Sequence, residues 1–176
     1  MLVGGRTLGA VVSRPTPDPV APGQESVWDY PRPPALRQVD DLVTVVLGGV
    51  EVCETRTSLQ VLETSHPPTY YLPRDAFVAG SLRQAGGSSF CEWKGEASYL
   101  DVVGGGKTAR RAAWYYPSPN GRYAALQGHV ALYPGMMDYC LVDGERVEPQ
   151  PGGFYGGWIT SAVVGPFKGG PGSQGW

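Results

Sequence analysis

The most regular feature of the chain is the alternation of apolar and polar positions in short runs, each closed by glycine or proline. LVTVVL (42–47), Gly48-Gly49 and VEVCE (50–54) read as two β-branched strands joined by a tight Gly-Gly turn. ASYLDVV (97–103), Gly104-Gly105-Gly106 and KTARRAAWYY (107–116) repeat the design and predict a second hairpin. Further strands are expected at SLQVLE (58–63), TYYLP (69–73), HVALY (129–133), DYCLV (138–142) and ERVEP (145–149), with one helical turn at 122–126. The pattern is therefore mainly β: short antiparallel strands and little helix.

Composition supports the same picture. Among 176 residues, 26 are glycine and 17 proline, too many interruptions for long helices. RPTPDPVAPGQ (14–24) lacks the apolar content to offset ordering, so residues 1–24 are expected to form a disordered arm, residues 25–150 a β domain, and residues 151–176 a glycine- and aromatic-rich clasp packed on that domain. A formal charge of −2 without a dense Lys/Arg run argues against nucleic acid as a partner. No run approaches the roughly 20 apolar residues of a membrane helix. Three cysteines without short-range pairing suggest neither a disulfide framework nor a zinc knuckle, and a reducing cytoplasm fits best.

Several motifs invite chemistry. GGGKT (104–108) lacks the earlier glycine of a phosphate loop, since Asp101 stands there, and it sits between two strands, where a hairpin turn is expected. Gly87-Ser88 with Asp101 suggests the metal-binding strand of a nucleotidyltransferase, but the partner position holds Val103, which cannot ligate Mg²⁺. His66 and His129 form no metal spacing, and neither a metal nor a cofactor is expected. FCEWKGEASY (90–99) crowds a thiol, an indole, an ammonium and carboxylates together. Lys94 there can act as a base or as an anion partner, with Glu96 orienting it and Cys91 as a thiol. The plainer alternative makes Lys94-Gly95 a turn, Cys91 a small buried hydrophobe and the charges solvated.

VWDYPRPP (27–34) and AWYYPSPN (113–120) share Trp-x-Tyr-Pro-x-Pro. In an extended chain the Trp and Tyr of each fall on one face, so both stretches can wall a pocket, although aromatics also fill small β cores.

CEWKGEASYLDV (91–102), AAWYYPSP (112–119) and GHVALYPG (128–135) resemble the Cys-Pro-Trp-Lys-Gly, Ala-Ala-Trp-Tyr-Tyr-Pro-x-Pro and Gly-x-Val-Ala-Phe-Tyr signatures of domain of unknown function family 427. SVWDYPRPP, LETSHPPTYYLP and GGWITSAVVGPFKGGPGSQGW resemble its longer actinobacterial form, so the similarity runs over roughly residues 25–176. The resemblance implies a β-tent fold, two antiparallel sheets leaning together, in a family sometimes catalogued as nucleotidyltransferase-like. Some β-tent proteins hold zinc with paired Cys-x-x-Cys motifs; this chain has none, so zinc is not carried over. Glu92 stands where the family usually has proline, adding a charge beside Trp93 and Lys94.

The expectation is a small-molecule-binding β-tent domain, its pocket walled by Trp28, Tyr30, Trp93, Trp114 and Tyr116. Lys94 and Arg32 supply positive charge for an anionic or carbonyl-bearing ligand. The rival is an enzyme, a nucleotidyltransferase or a metabolite-tailoring catalyst, using Lys94, Glu96, Asp101 and Tyr116. A protein-interaction module is the third class, and exposed edge strands leave homodimerisation open.

Overall fold

The computed structural model describes residues 13–176, so the first half of the expected arm lies outside the described residues. The strands are short: β1 (Glu25–Ser26), β2 (Ala35–Val39), β3 (Val43–Leu47), β4 (Val50–Thr55), β5 (Ser58–Leu62), β6 (Thr69–Pro73), β7 (Leu82–Cys91), β8 (Gly95–Gly104) and β9 (Lys107–Tyr115). They continue as β10 (His129–Leu132), β11 (Tyr139–Val142), β12 (Glu145–Arg146), β13 (Glu148–Pro149), β14 (Trp158–Ile159) and β15 (Val163–Val164). Among the described residues the helical segments between them are short 3₁₀ turns, the longest being two turns that meet at a kink at Tyr123 within Gly121–Leu126.

Two antiparallel sheets dominate, seven-stranded in the order β2-β5-β6-β10-β9-β8-β7 and four-stranded in the order β12-β11-β3-β4. Both expected hairpins are present, β3–β4 and β8–β9, and their glycine tips touch. A Cβ on Gly105 would lie 1.8 Å from the Gly48 carbonyl oxygen, so only glycine lets the two turns approach this closely. GGGKT is that turn, with Gly104 paired to Lys107.

Strand alternation divides the large sheet into two faces. Tyr70 and Leu72 of β6, Leu100 and Val102 of β8, Ala113 of β9, and Val130 and Leu132 of β10 turn toward β3, β4 and β11. There they bury against Val43, Val45, Leu47, Cys53, Cys140 and Trp158. Tyr71, Ala97, Trp114 and Ala131 of the same strands turn to the other face with Val61, Tyr116, Tyr123 and Leu126. One face is thus a closed core, and the other is an aromatic surface.

The strands depart from the sequence pattern in several places, the two-residue β1, β14 and β15 among them. β7 escapes it because LRQAGGSSFC is an edge strand exposed along most of its length, so no apolar face marks it. β2 escapes it because ALRQV is only partly buried and carries two polar residues. ERVEP is not one strand but two, pairing with β11 and with β14, because Val147 between them dives into the core.

The segments at the two chain ends meet. β1 pairs in parallel with β15, the Asp18 N–H donates to the Gly165 carbonyl at 2.8 Å, and Trp158 sits in the main core, stacked on Tyr70 at 4.8 Å between ring centroids. Among the described residues no helix is long and apolar enough to cross a membrane.

Candidate functional site

On the aromatic face of the seven-stranded sheet lies a cleft of about 770 Å³. Its floor is Tyr71 from β6 and Trp114 from β9, which flank the small Ala131 of the intervening β10 and are joined over it by a 3.3 Å hydrogen bond from the Trp114 indole N–H to the Tyr71 hydroxyl. Tyr133 packs on Trp114 at 4.7 Å, and Tyr116, two residues beyond Trp114 on the same face, lies 6.4 Å from the Tyr71 ring. Burial holds both Tyr71 and Tyr116 above the ordinary phenol pKa, so they are neutral hydroxyls at physiological pH.

One wall is Cys91 at the end of β7 with Trp93 and Lys94 of the turn that leads into β8. Asn120 clamps it: its side-chain amide donates to the Trp93 carbonyl at 2.9 Å, and its N–H donates to the Lys94 carbonyl at 3.0 Å. The segment that supplies Trp114 and Tyr116 therefore also fixes the turn that supplies Trp93 and Lys94.

The opposite wall comes from the C-terminal segment, through Phe154, Tyr155, Gly156 and Lys168. Gly156 is wedged against the floor, where a Cβ would sit 2.2 Å from the Trp114 ring. Two strongly exposed aromatics, Phe90 and Phe154, 78% and 75% accessible, line the cleft from β7 and from the C-terminal segment.

The charges are unevenly distributed. Arg32 lies at the edge, bonded to Glu63 Oε1 at 3.2 Å and to the Thr64 carbonyl at 3.0 Å. Lys94 is 9% exposed, its ammonium 5.7 Å from the centre of the Tyr116 ring, and among the described residues no carboxylate lies within ion-pair distance of it. Burial pulls its pKa down, but a hydrogen bond with the Cys91 side chain and the charge of Glu63 pull it up, and it stands above the ordinary lysine value. The solvated lysine of the plainer sequence alternative is thus corrected: apolar neighbours take Lys94 out of bulk water.

His66 also lines the cleft, and nothing local in the sequence marks it. Its ring packs edge-on against Tyr155 at 4.7 Å, and its Nδ1 is 3.0 Å from the Gln150 side-chain nitrogen, 84 residues away. Burial, reinforced by the charges of Lys168 and Arg32, lowers its pKa to about 4.

The structure brings together Arg32, Trp93, Lys94, Trp114 and Tyr116 from the residues singled out in the sequence. It does not bring Trp28 and Tyr30 to them. Trp28 donates its indole N–H to the Pro166 carbonyl at 2.9 Å and packs on Trp176, in a separate cluster with Val27, Leu62 and Val163. The Tyr30 hydroxyl donates to Glu25, which Arg37 holds at 2.7 Å. Glu96 is exposed and points away from the cleft beside Ala97, while Asp101 accepts the Arg111 N–H at 2.8 Å where the β8–β9 register shifts. Neither carboxylate lines the cleft.

Compared with known proteins, residues 35–143 match the family model described as a domain of unknown function, DUF427, whose short label reads as a nucleotide-triphosphate transferase. No curated protein matches the chain. The matched span carries Tyr71, Trp93, Lys94, Trp114 and Tyr116, whereas Arg32 and the C-terminal wall lie outside it.

Proposed function

The chain belongs to the DUF427 family, and from that premise we propose that it is a small-molecule-binding β domain. Its ligand enters the cleft, packs a flat or apolar body on Trp93, Trp114 and Tyr116, and presents an anionic or carbonyl oxygen to Lys94. The observation that carries this is Lys94: a charged ammonium, nearly buried among aromatic rings, with no carboxylate partner among the described residues. Less water screens such a cation than one on an open surface, and the interaction with an opposite charge at 4 Å grows from about 1 to about 4 kcal/mol as the effective dielectric falls toward 20. The aromatic walls supply sequence-independent apolar area with little rotamer entropy to lose.

The family label raises metal-dependent nucleotidyl transfer, which uses acidic residues to hold catalytic metals. The residues do not fit it: Asp101 is engaged by the Arg111 N–H, Val102 beside it is in the core, and the residue two along is Val103.

The test is a thermal-shift screen of metabolites, with hits titrated into the wild type, Trp93→Ala and Lys94→Ala. A charge-assisted hydrogen bond contributes about 1.5–3 kcal/mol, so Lys94→Ala should weaken binding roughly ten- to hundredfold. Hits that bind both variants as tightly as the wild type place the ligand elsewhere and overturn the proposal.

A further inference from the structure

The part of the cleft at His66 is organised around Gln150, which is 4% exposed. Its Oε1 accepts the Gly157 N–H at 3.1 Å, and its Nε2 donates to the Lys168 carbonyl at 2.8 Å. A main-chain donor on one side and a main-chain acceptor on the other leave the amide one orientation. Its remaining N–H therefore points at His66 Nδ1, 3.0 Å away, and that nitrogen must accept. In a neutral imidazole the proton is then on Nε2, which has no protein acceptor among the described residues, and the ring lines the cleft. The charges that act on it are Lys168, whose ammonium donates to the Trp176 carbonyl at 2.9 Å, then Arg32, which is paired with the cleft-lining Glu63 at 3.2 Å, and more weakly Lys94.

We infer that His66 is a ligand-binding residue whose Nε2–H, with the cations beside it, forms an oxyanion subsite, so that the cleft takes aromatic ligands bearing a carboxylate or phosphate. Gln150 is the positioning residue that sets the tautomer. This rests on the cleft being a ligand site and adds the class of ligand. The cationic neighbours favour an anion and disfavour a second positive charge on the ring, which keeps the imidazole a neutral donor rather than a titrating one. Gln150 and Lys168 both lie outside the span matched by the family model, so this subsite is completed by the part of the chain beyond it.

Phenyl phosphate, with benzyl alcohol as the neutral aromatic control, distinguishes the outcomes. Both are titrated calorimetrically into the wild type, His66→Phe and Gln150→Glu, after thermal unfolding confirms that each variant is folded. Glutamate at 150 accepts a hydrogen bond where glutamine donates, reversing the polarity at Nδ1. Phenyl phosphate is expected to bind the wild type at least tenfold more tightly than either variant, with benzyl alcohol changing less than twofold. Independently of any ligand, imidazole ¹⁵N shifts at pH 7 should show the Nε2–H tautomer in the wild type and its loss in Gln150→Glu. A wild-type Nδ1–H tautomer, or phenyl phosphate binding that ignores both variants, overturns the subsite. If phenyl phosphate fails to bind while screening hits still depend on Trp93 and Lys94, the anion assignment falls and the cleft proposal survives; hits independent of Trp93 and Lys94 remove the cleft proposal itself.

Discussion

Replacing Gly156 with alanine probes how the cleft is built. The added Cβ would lie 2.2 Å from Cη2 of Trp114 and 3.1 Å from its Cζ3, so roughly 1 Å of movement is needed before ordinary contact is restored. Trp114 cannot absorb it freely, because its indole N–H is bonded to Tyr71 at 3.3 Å and its ring rests on Tyr133 at 4.7 Å. On the other side, Gly157 is pressed against Pro67 and Gln150. Overpacking of this kind costs about 1–3 kcal/mol. At roughly 2–4 °C per kcal/mol for a chain of this size, the melting temperature should fall by about 2–12 °C. Differential scanning calorimetry measures the loss, and tryptophan emission reports the displaced indole. An unchanged melting temperature with unchanged emission would show that the C-terminal segment is not seated on Trp114, and the second wall of the cleft would be lost from the account.

Other consequences can be checked alongside. The unfolded chain binds a proton at His66 below its ordinary value of 6.5, whereas the folded chain resists until about pH 4. Stability should therefore fall as pH drops through that window, by on the order of 3 kcal/mol in full, and His66→Phe should flatten the urea-midpoint profile between pH 6.5 and 5. Trp28→Phe removes the hydrogen bond to Pro166 and should cost about 1 kcal/mol of stability while leaving cleft binding unchanged in titrations. Tyr123→Phe frees the Pro34 carbonyl, which now accepts the buried hydroxyl at 2.8 Å, and should lower the urea midpoint by the equivalent of about 1 kcal/mol. Calorimetry with ATP and Mg²⁺ should show no metal-dependent heat; a saturable Mg²⁺-dependent signal would favour the nucleotidyl-transfer alternative.

The parts of the fold that the sequence shows are those whose signal is local. Both hairpins carry β-branched runs and Gly-Gly turns, and alternation in TYYLP and HVALY assigns Tyr71 and Ala131 to the face opposite Leu72 and Val130. Trp93, Lys94, Trp114 and Tyr116 are legible for the same reason, since each belongs to a short motif with its own geometry. Trp28 and Tyr30 share a motif with Trp114 and Tyr116, but the first stretch begins in a 3₁₀ turn at Val27–Asp29 rather than a strand, and its side chains pack under the chain's C-terminal segment. The spacing of two residues places a Trp and a Tyr on one face only where the backbone is extended. His66 was out of reach because what makes it a donor is Gln150, brought to it by the β13–β14 pairing and the Gly157 contact. β7 was hidden because an exposed edge strand has no buried face to impose a pattern.

The most direct test uses the five tryptophans of the chain, whose indole N–H groups give separate signals in a ¹H–¹⁵N spectrum. Of these, Trp93 and Trp114 line the cleft; Trp158 is in the main core, and Trp28 packs against Trp176 in the separate cluster with Val27, Leu62 and Val163. Titration with a screening hit is predicted to shift the Trp93 and Trp114 indoles, leave the other three in place, and lose both shifts in Lys94→Met. Shifts confined to Trp28 and Trp176, or cleft shifts that persist at full affinity in Lys94→Met, would contradict the claim that an aromatic cleft with Lys94 as its charged anchor is where this protein binds its ligand.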